Sequence, residues 1–146
     1  MAVFGKAQYI KRVEDDRLLT GTGGFTDNLT RPNQVHVVLV RSPHAHAKIL
    51  GINADEARKA PGVVAVYTWD DMAKDGAGDF SFPAMFPNAD GSKPEMTPRR
   101  SLAHEAVRYV GEAVAAVVAE TRGQAQDAAE LVEVDYDPLP SVSTIE

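Results

Sequence analysis

Two stretches of the chain are nearly unbroken runs of β-branched and small apolar residues. Val35 to Val40 holds one polar side chain, His36, and Ala113 to Ala119 holds none. The first reads as a buried strand and the second as a central one. Val63 to Thr68 predicts a further strand, and Val107 to Val110 a short one. Ala47 to Ile52 alternates instead, with Ala47, Ile49 and Gly51 on one side and Lys48, Leu50 and Ile52 on the other, and Glu133 to Tyr136 alternates as well. Asn53 to Ala60 predicts a short helix, acidic at its start, basic at Arg58 and Lys59, and stopped by Pro61-Gly62. Thr121 followed three residues on by Gln124 is a capping-box spacing, and places a helix over about Arg122 to Leu131 with Ala125, Ala128, Ala129 and Val132 on one face. Asp70 to Ala73 predicts one helical turn.

The breaks between these elements set the organisation. Residues 1–20 read as an N-terminal arm, 21–141 as a single domain and 142–146 as a tail. Turn residues crowd the first 34 positions, with a short strand expected at Leu18–Thr20 or Gly24–Asp27. Residues 74–104 hold Pro83, Pro87, Pro94 and Pro98 and three glycines, a long loop that signals function or a partner surface. The order strand–strand–helix–strand, loop, strand–strand–helix–strand predicts an α+β fold with a mixed sheet. Residues 113–136 are expected to form a right-handed crossover between parallel strands.

Composition narrows the functions. With 146 residues and 44% hydrophobic positions the chain reaches the size of a self-supporting domain. It has no cysteine, which excludes disulfides, thiolate catalysis and iron–sulfur ligation by its own side chains. Residues 1–73 carry nine Lys/Arg and eight Asp/Glu, while 74–146 carry six and thirteen, giving +1 and −7 for a total of −6. An acidic second half argues against nucleic acid. No apolar run reaches the length of a membrane span or of a signal peptide's apolar core, so a cytoplasmic location without membrane contact is expected.

Candidate chemistry is sparse. His44 and His46, two apart, would share a strand face, with His104 or Glu105 as a third metal ligand, but the spacing is weak for a metal site. Gly21-Thr22-Gly23-Gly24 does not open a helix, so it is not a phosphate loop. Ser42 lacks a nucleophile-elbow pattern.

Five segments in order carry a resemblance. They are Arg17–Gly21 leading to Gly23–Asp27; Val38-Leu-Val-Arg-Ser-Pro-His-Ala-His-Ala47 with Ile49; Pro61–Val66; Val107-Arg-Tyr-Val-Gly-Glu112 with Val114-Ala115; and Gln124–Leu131 with Val134 and Tyr136–Pro140. Over roughly residues 9–141 the chain resembles the first domain of the large subunit of molybdenum hydroxylases, the family of xanthine dehydrogenase, aldehyde oxidase and aerobic carbon monoxide dehydrogenase. It departs at Ala113, where the family's turn usually has proline. The resemblance implies an α/β hammerhead fold. It also implies an oxidoreductase that hydroxylates aldehydes or N-heterocycles, or oxidises CO, with water as oxygen source.

In such an enzyme a molybdenum–pterin cofactor passes electrons to two [2Fe-2S] clusters and usually to FAD. The resemblance puts the catalytic and cofactor-binding residues in a large domain beyond Glu146. None is therefore assigned here, and the isolated chain is expected to bind neither molybdenum nor flavin. The implied partners are the remaining molybdenum-binding domain and the iron–sulfur subunit. Arg41, His44, His46, Gly111 and Glu112 are the candidate interface residues; the other reading of Arg41 is an internal pair with an acidic residue. The alternative function is a stand-alone interaction or small-ligand module with the same fold.

Overall fold

A computed structural model describes residues 12–80, 86–94 and 99–142. The chain divides into two compact units, 1–34 and 35–146.

In the first unit the expected short strand gives way to a helix, α1 (Asp15–Leu19), and a single 3-10 turn at Thr26–Asn28. Asp15 and Asp16 in the first turn and Arg17 in the last complement the helix dipole. Thr20 Oγ1 donates to the Asp16 carbonyl at 2.6 Å, and Gly21, at φ +70°, ends the helix.

The second unit runs β1 (His36–Arg41), β2 (Ala47–Asn53), α2 (Asp55–Lys59), β3 (Val63–Tyr67), α3 (Trp69–Lys74), β4 (Ala106–Val107), β5 (Ala113–Ala119), α4 (Arg122–Glu130) and β6 (Glu133–Pro138). The strands form two three-stranded sheets, ordered β1–β5–β3 and β4–β2–β6, and every pair is antiparallel. The α+β class is as expected, but the single mixed sheet is corrected. β5 has β1 on one edge and β3 on the other, so no edge is left for β6 to pair in parallel. α4 instead carries the chain from the first sheet to the second, where β6 pairs with β2. The expected right-handed crossover between parallel strands is therefore not formed.

Two other expectations shift. The strand predicted over 107–110 is only Ala106–Val107, because the chain turns immediately afterwards. The buried strand expected at β1 is buried on one face only: Val38 and Val40 point inward, while Val37 is 58% exposed. Among the described residues no helix is long and apolar enough to cross a membrane.

The core lies under one face of the first sheet. Val66, Ala115 and Val117 pack on Ala57 of α2 and on Ala128 of α4. Alanine on the helix faces lets the helices sit close to the strands. A second cluster joins Ala47, Val107 and Val114 to Ala103, and Val40, Ile52 and Val134 pack against both clusters. The capping box forms as read: Gln124 N donates to Thr121 Oγ1 at 3.3 Å, and Thr121 N donates to Gln124 Oε1 at 3.1 Å. The same Gln124 amide lies where a Cβ on Gly62 would stand, and Gly62 has φ +74°. At α3 the Thr68 N–H and hydroxyl both donate to Asp71 Oδ2 at 2.9 Å, and the backbone bond foremost holds the Asp71 carboxyl below its usual range.

The 74–104 loop is pinched at its base. Phe80 N donates to the Arg99 carbonyl at 2.7 Å, Arg100 Nε pairs with Asp79 at 2.8 Å, and the Arg100 guanidinium lies 5.2 Å over the Trp69 ring.

Candidate functional site: the corner between the sheets

The chain crosses between the two sheets at one corner twice. Residues 42–46 take it from β1 to β2, and residues 108–112 take it back from β4 to β5. The two connections are bonded to each other. Ser42 N donates to the Glu112 carbonyl at 2.9 Å, and Gly111 N donates to the Ser42 carbonyl at 2.8 Å. Arg41 Nη1 donates to the Gly111 carbonyl at 2.7 Å. The internal partner of Arg41 is therefore a backbone oxygen and not the acidic residue weighed from the sequence.

Local chemistry explains each position. Gly111 takes φ +89°, a conformation only glycine adopts without cost. The Glu112 carboxylate accepts from Arg108 N and closes the turn that cuts β4 short. Ser42, 2% exposed, accepts from His44 N at 3.0 Å, a hydroxyl turn that bends the chain around Pro43. The His44 ring meets Tyr136 of β6 edge-on, with centroids 5.0 Å apart. His46 Nδ1 lies 3.0 Å from the Pro140 carbonyl. A carbonyl only accepts, so Nδ1 is the donating nitrogen of this contact. Burial raises the Tyr136 phenol, whose buried Oη sits beside Ser42 without a well-aligned hydrogen bond.

Thus all five sequence candidates, Arg41, His44, His46, Gly111 and Glu112, gather at one corner. Ser42 and Tyr136 belong to it as well and were not singled out as interface residues. The Ser-Pro pair marks a turn, which was a signal for Ser42; nothing in the sequence places Tyr136 against His44. Beside the corner lies an open depression of about 610 Å³, walled by His46, Arg108, Tyr109, Val110, Pro140 and Val142.

His104 is not brought to the histidine pair. Its Nδ1 lies 3.4 Å from Asp70 Oδ1, in a smaller cleft of about 230 Å³ beside β2 and the start of α3. Among the described residues no three His, Asp or Glu side chains converge as metal ligands. Without a thiol in the chain, its donor set does not fit an iron–sulfur cluster. The larger depression, lined in equal parts by apolar residues and by His46, Arg108, Tyr109 and Ser141, is open to solvent and does not enclose a group of the size of a molybdenum–pterin. The described residues do not fit either group.

The 6-hydroxypseudooxynicotine dehydrogenase complex subunit gamma of Paenarthrobacter nicotinovorans is 42% identical over 137 residues, covering 91% of this chain and 16% of that subunit. The xanthine dehydrogenase molybdenum-binding subunit of Escherichia coli O157:H7 is 35% identical over 135 residues, covering 92% of this chain and 17% of its own length. Quinoline 2-oxidoreductase from Pseudomonas putida 86 superposes with a TM-score of 0.77 at 37% identity, over 93% of this chain and 16% of that one. The chain thus spans about a sixth of the length of each of these relatives. Residues 20–140 match the family described as aldehyde oxidase and xanthine dehydrogenase, a/b hammerhead domain, and the chain belongs to that family.

Proposed function

We propose that this chain is a non-catalytic assembly domain of a molybdenum-containing oxidoreductase. One observation carries the reading: nearly the whole chain aligns with a sixth of a molybdenum-binding subunit. Among the described residues, no three His, Asp or Glu side chains gather as metal ligands. The complete enzyme would hydroxylate aldehydes or N-heterocycles, or oxidise CO, using water. Molybdenum–pterin, [2Fe-2S] and FAD groups would lie outside this chain, in the rest of the large subunit and in partner subunits.

The domain docks the iron–sulfur subunit through the corner and helps frame the channel to the active site. Arg41, His44, His46, Gly111 and Glu112 form the docking surface. The cross-bonded turns hold it rigid, which lowers the ordering cost of association.

The test grafts residues 12–142 into the E. coli molybdenum-binding subunit in place of the matched region and titrates the iron–sulfur partner. Arg41→Ala with His44→Ala should weaken assembly at least tenfold, the loss of two interface anchors. Unchanged affinity removes the corner from the interface.

A further inference from the structure

The sequence holds two Asp-Gly steps, Asp75-Gly76 and Asp90-Gly91, and no Asn-Gly step. Both lie in the 74–104 loop, and both aspartates are exposed. The two glycines take left-handed φ values of +86° and +80°. Glycine puts no side chain in the way when its nitrogen approaches the preceding carboxyl, so such a step can close a succinimide ring. The fold holds the two steps differently.

Asp75 caps the C-terminus of α3. Ala77 N donates to the Met72 carbonyl at 3.0 Å and Gly76 N to the Ala73 carbonyl at 3.1 Å, the two bonds of a Schellman motif. The Asp75 carboxylate has no hydrogen bond or ion pair among the described residues. At the second step Gly91 N donates to the Asn88 carbonyl at 2.9 Å. There the carboxylate is held too: Asp90 Oδ1 accepts from Ser92 N at 2.9 Å and from the Ser92 hydroxyl at 2.6 Å. The hydroxyl bond foremost, then the backbone bond, keeps the Asp90 carboxyl below its usual range. Ring closure proceeds from the neutral acid, because a carboxylate is a poor electrophile, so Ser92 disfavours it twice. At Asp75 only the nitrogen is held, by a bond in the last turn of a helix, where fraying is easiest.

We propose that Asp75 is a site of spontaneous isoaspartyl formation, and that Ser92 withholds Asp90 from the same reaction. The Gly76 nitrogen attacks the Asp75 side-chain carboxyl carbon. That C–N bond forms, the carboxyl C–OH bond breaks, and one water leaves with the nitrogen's proton. Water then adds at the Asp75 main-chain carbonyl and breaks its bond to Gly76 N, leaving the chain linked through the side chain. The sum is an isomerisation that needs no oxidant, reductant or enzyme. Both Schellman bonds span residue 75, so a main chain longer by one carbon cannot keep them. α3 sets Trp69 under Arg100 and Asp70 beside His104, so the product loosens the base of the loop.

The inference goes beyond the Proposed function and is tested on the chain itself. The chain is kept near pH 7 in heavy-oxygen water, folded in one sample and in concentrated guanidinium in another. Each ring that opens takes up one heavy oxygen, and peptide fragmentation assigns it to position 75 or 90. In guanidinium the two positions should react at similar rates. In the folded chain position 75 should react at least about fivefold faster than position 90, the worth of one net hydrogen bond. Ser92→Ala should raise the rate at position 90 towards that at 75 and leave 75 unchanged. Equal rates in the folded chain, a faster position 90, or no uptake at 75 overturns the inference. An unchanged ratio in Ser92→Ala overturns the role given to Ser92.

Discussion

The two sheets of the second unit have the same number of strands and the same antiparallel pairing, yet opposite surface chemistry. In the first sheet all three strands are apolar on both faces, apart from His36 and Arg41 at the ends of β1. In the second, β6 alternates carboxylates with apolar residues, and β2 exposes Lys48 and Asn53 together with one apolar residue, Leu50. Pairing alone sets neither behaviour. What each sheet is built to touch is written in the residues that do not face the core.

The largest effect that would break the comparison lies on the first sheet. Val117 is fully buried on β5, against α2 and α4. Val117→Asp buries an unpaired charge and should cost at least about 4 kcal/mol, close to the whole stability of a small domain. Cooperative thermal unfolding should disappear. Val37→Lys, on the outer face of the edge strand β1, should change stability by less than about 1 kcal/mol in the isolated chain, since lysine is tolerated on exposed sheet edges. Comparable losses from both would mean that the outer face is already part of this domain's core.

The glycines offer a sharper, intermediate test. Gly62 joins α2 to β3 with a left-handed φ, and the Gln124 amide fills its Cβ position. Gly62→Ala therefore adds a clash to the backbone strain, and should cost about 2–3 kcal/mol in denaturant unfolding. Gly111, at the corner, has an equally left-handed φ with nothing within 4 Å of its Cβ position. Gly111→Ala should cost only the strain, about 1–2 kcal/mol. Equal costs would show that Gln124 moves aside freely, and that the cap of α4 does not hold the turn before β3.

The same contrast separates what was legible in the sequence from what was not. The run at Ala113 to Ala119 reads as a central strand, and it is one, because alanine and valine on both faces suit a strand flanked on both edges. Thr121 and Gln124 specify the start of α4 by local hydrogen bonds alone. Where α4 leads is not local. Whether β6 joins β5 or β2 depends on β1 and β3 occupying both edges of β5, a fact spread over 80 residues of sequence. Val35 to Val40 reads as a buried strand because it is almost wholly apolar, yet only Val38 and Val40 turn inward, since an apolar run does not show which face the helices cover. At the corner, five residues are legible through resemblance, and their gathering depends on two crossings between sheets that no periodicity encodes. Tyr136 is invisible as a site residue because an alternating strand gives no sign of which neighbour its ring meets.

Tyr136 also supplies the smallest expected effect, on the second sheet. Its hydroxyl is buried without a well-aligned partner, beside Ser42. A buried polar group that makes no good hydrogen bond costs its desolvation, so Tyr136→Phe should leave stability at pH 7 unchanged or raise it by up to about 1 kcal/mol. The pH dependence has a definite sign. Burial raises the phenol in the folded state, so the unfolded chain releases this proton first. The contribution of Tyr136 is constant below about pH 10, the ordinary tyrosine value, and is lost as pH rises above it. Tyr136→Phe removes that loss, and its unfolding free energy should fall less between pH 9 and pH 11 than that of the parent chain, with pH steps of about half a unit resolving the onset near the ordinary value. A loss of more than about 1 kcal/mol at pH 7 would mean instead that the hydroxyl bonds to Ser42 Oγ and helps to hold the corner. Ser42→Ala would then have to reproduce the loss, and the double variant would have to show coupling between the two sites.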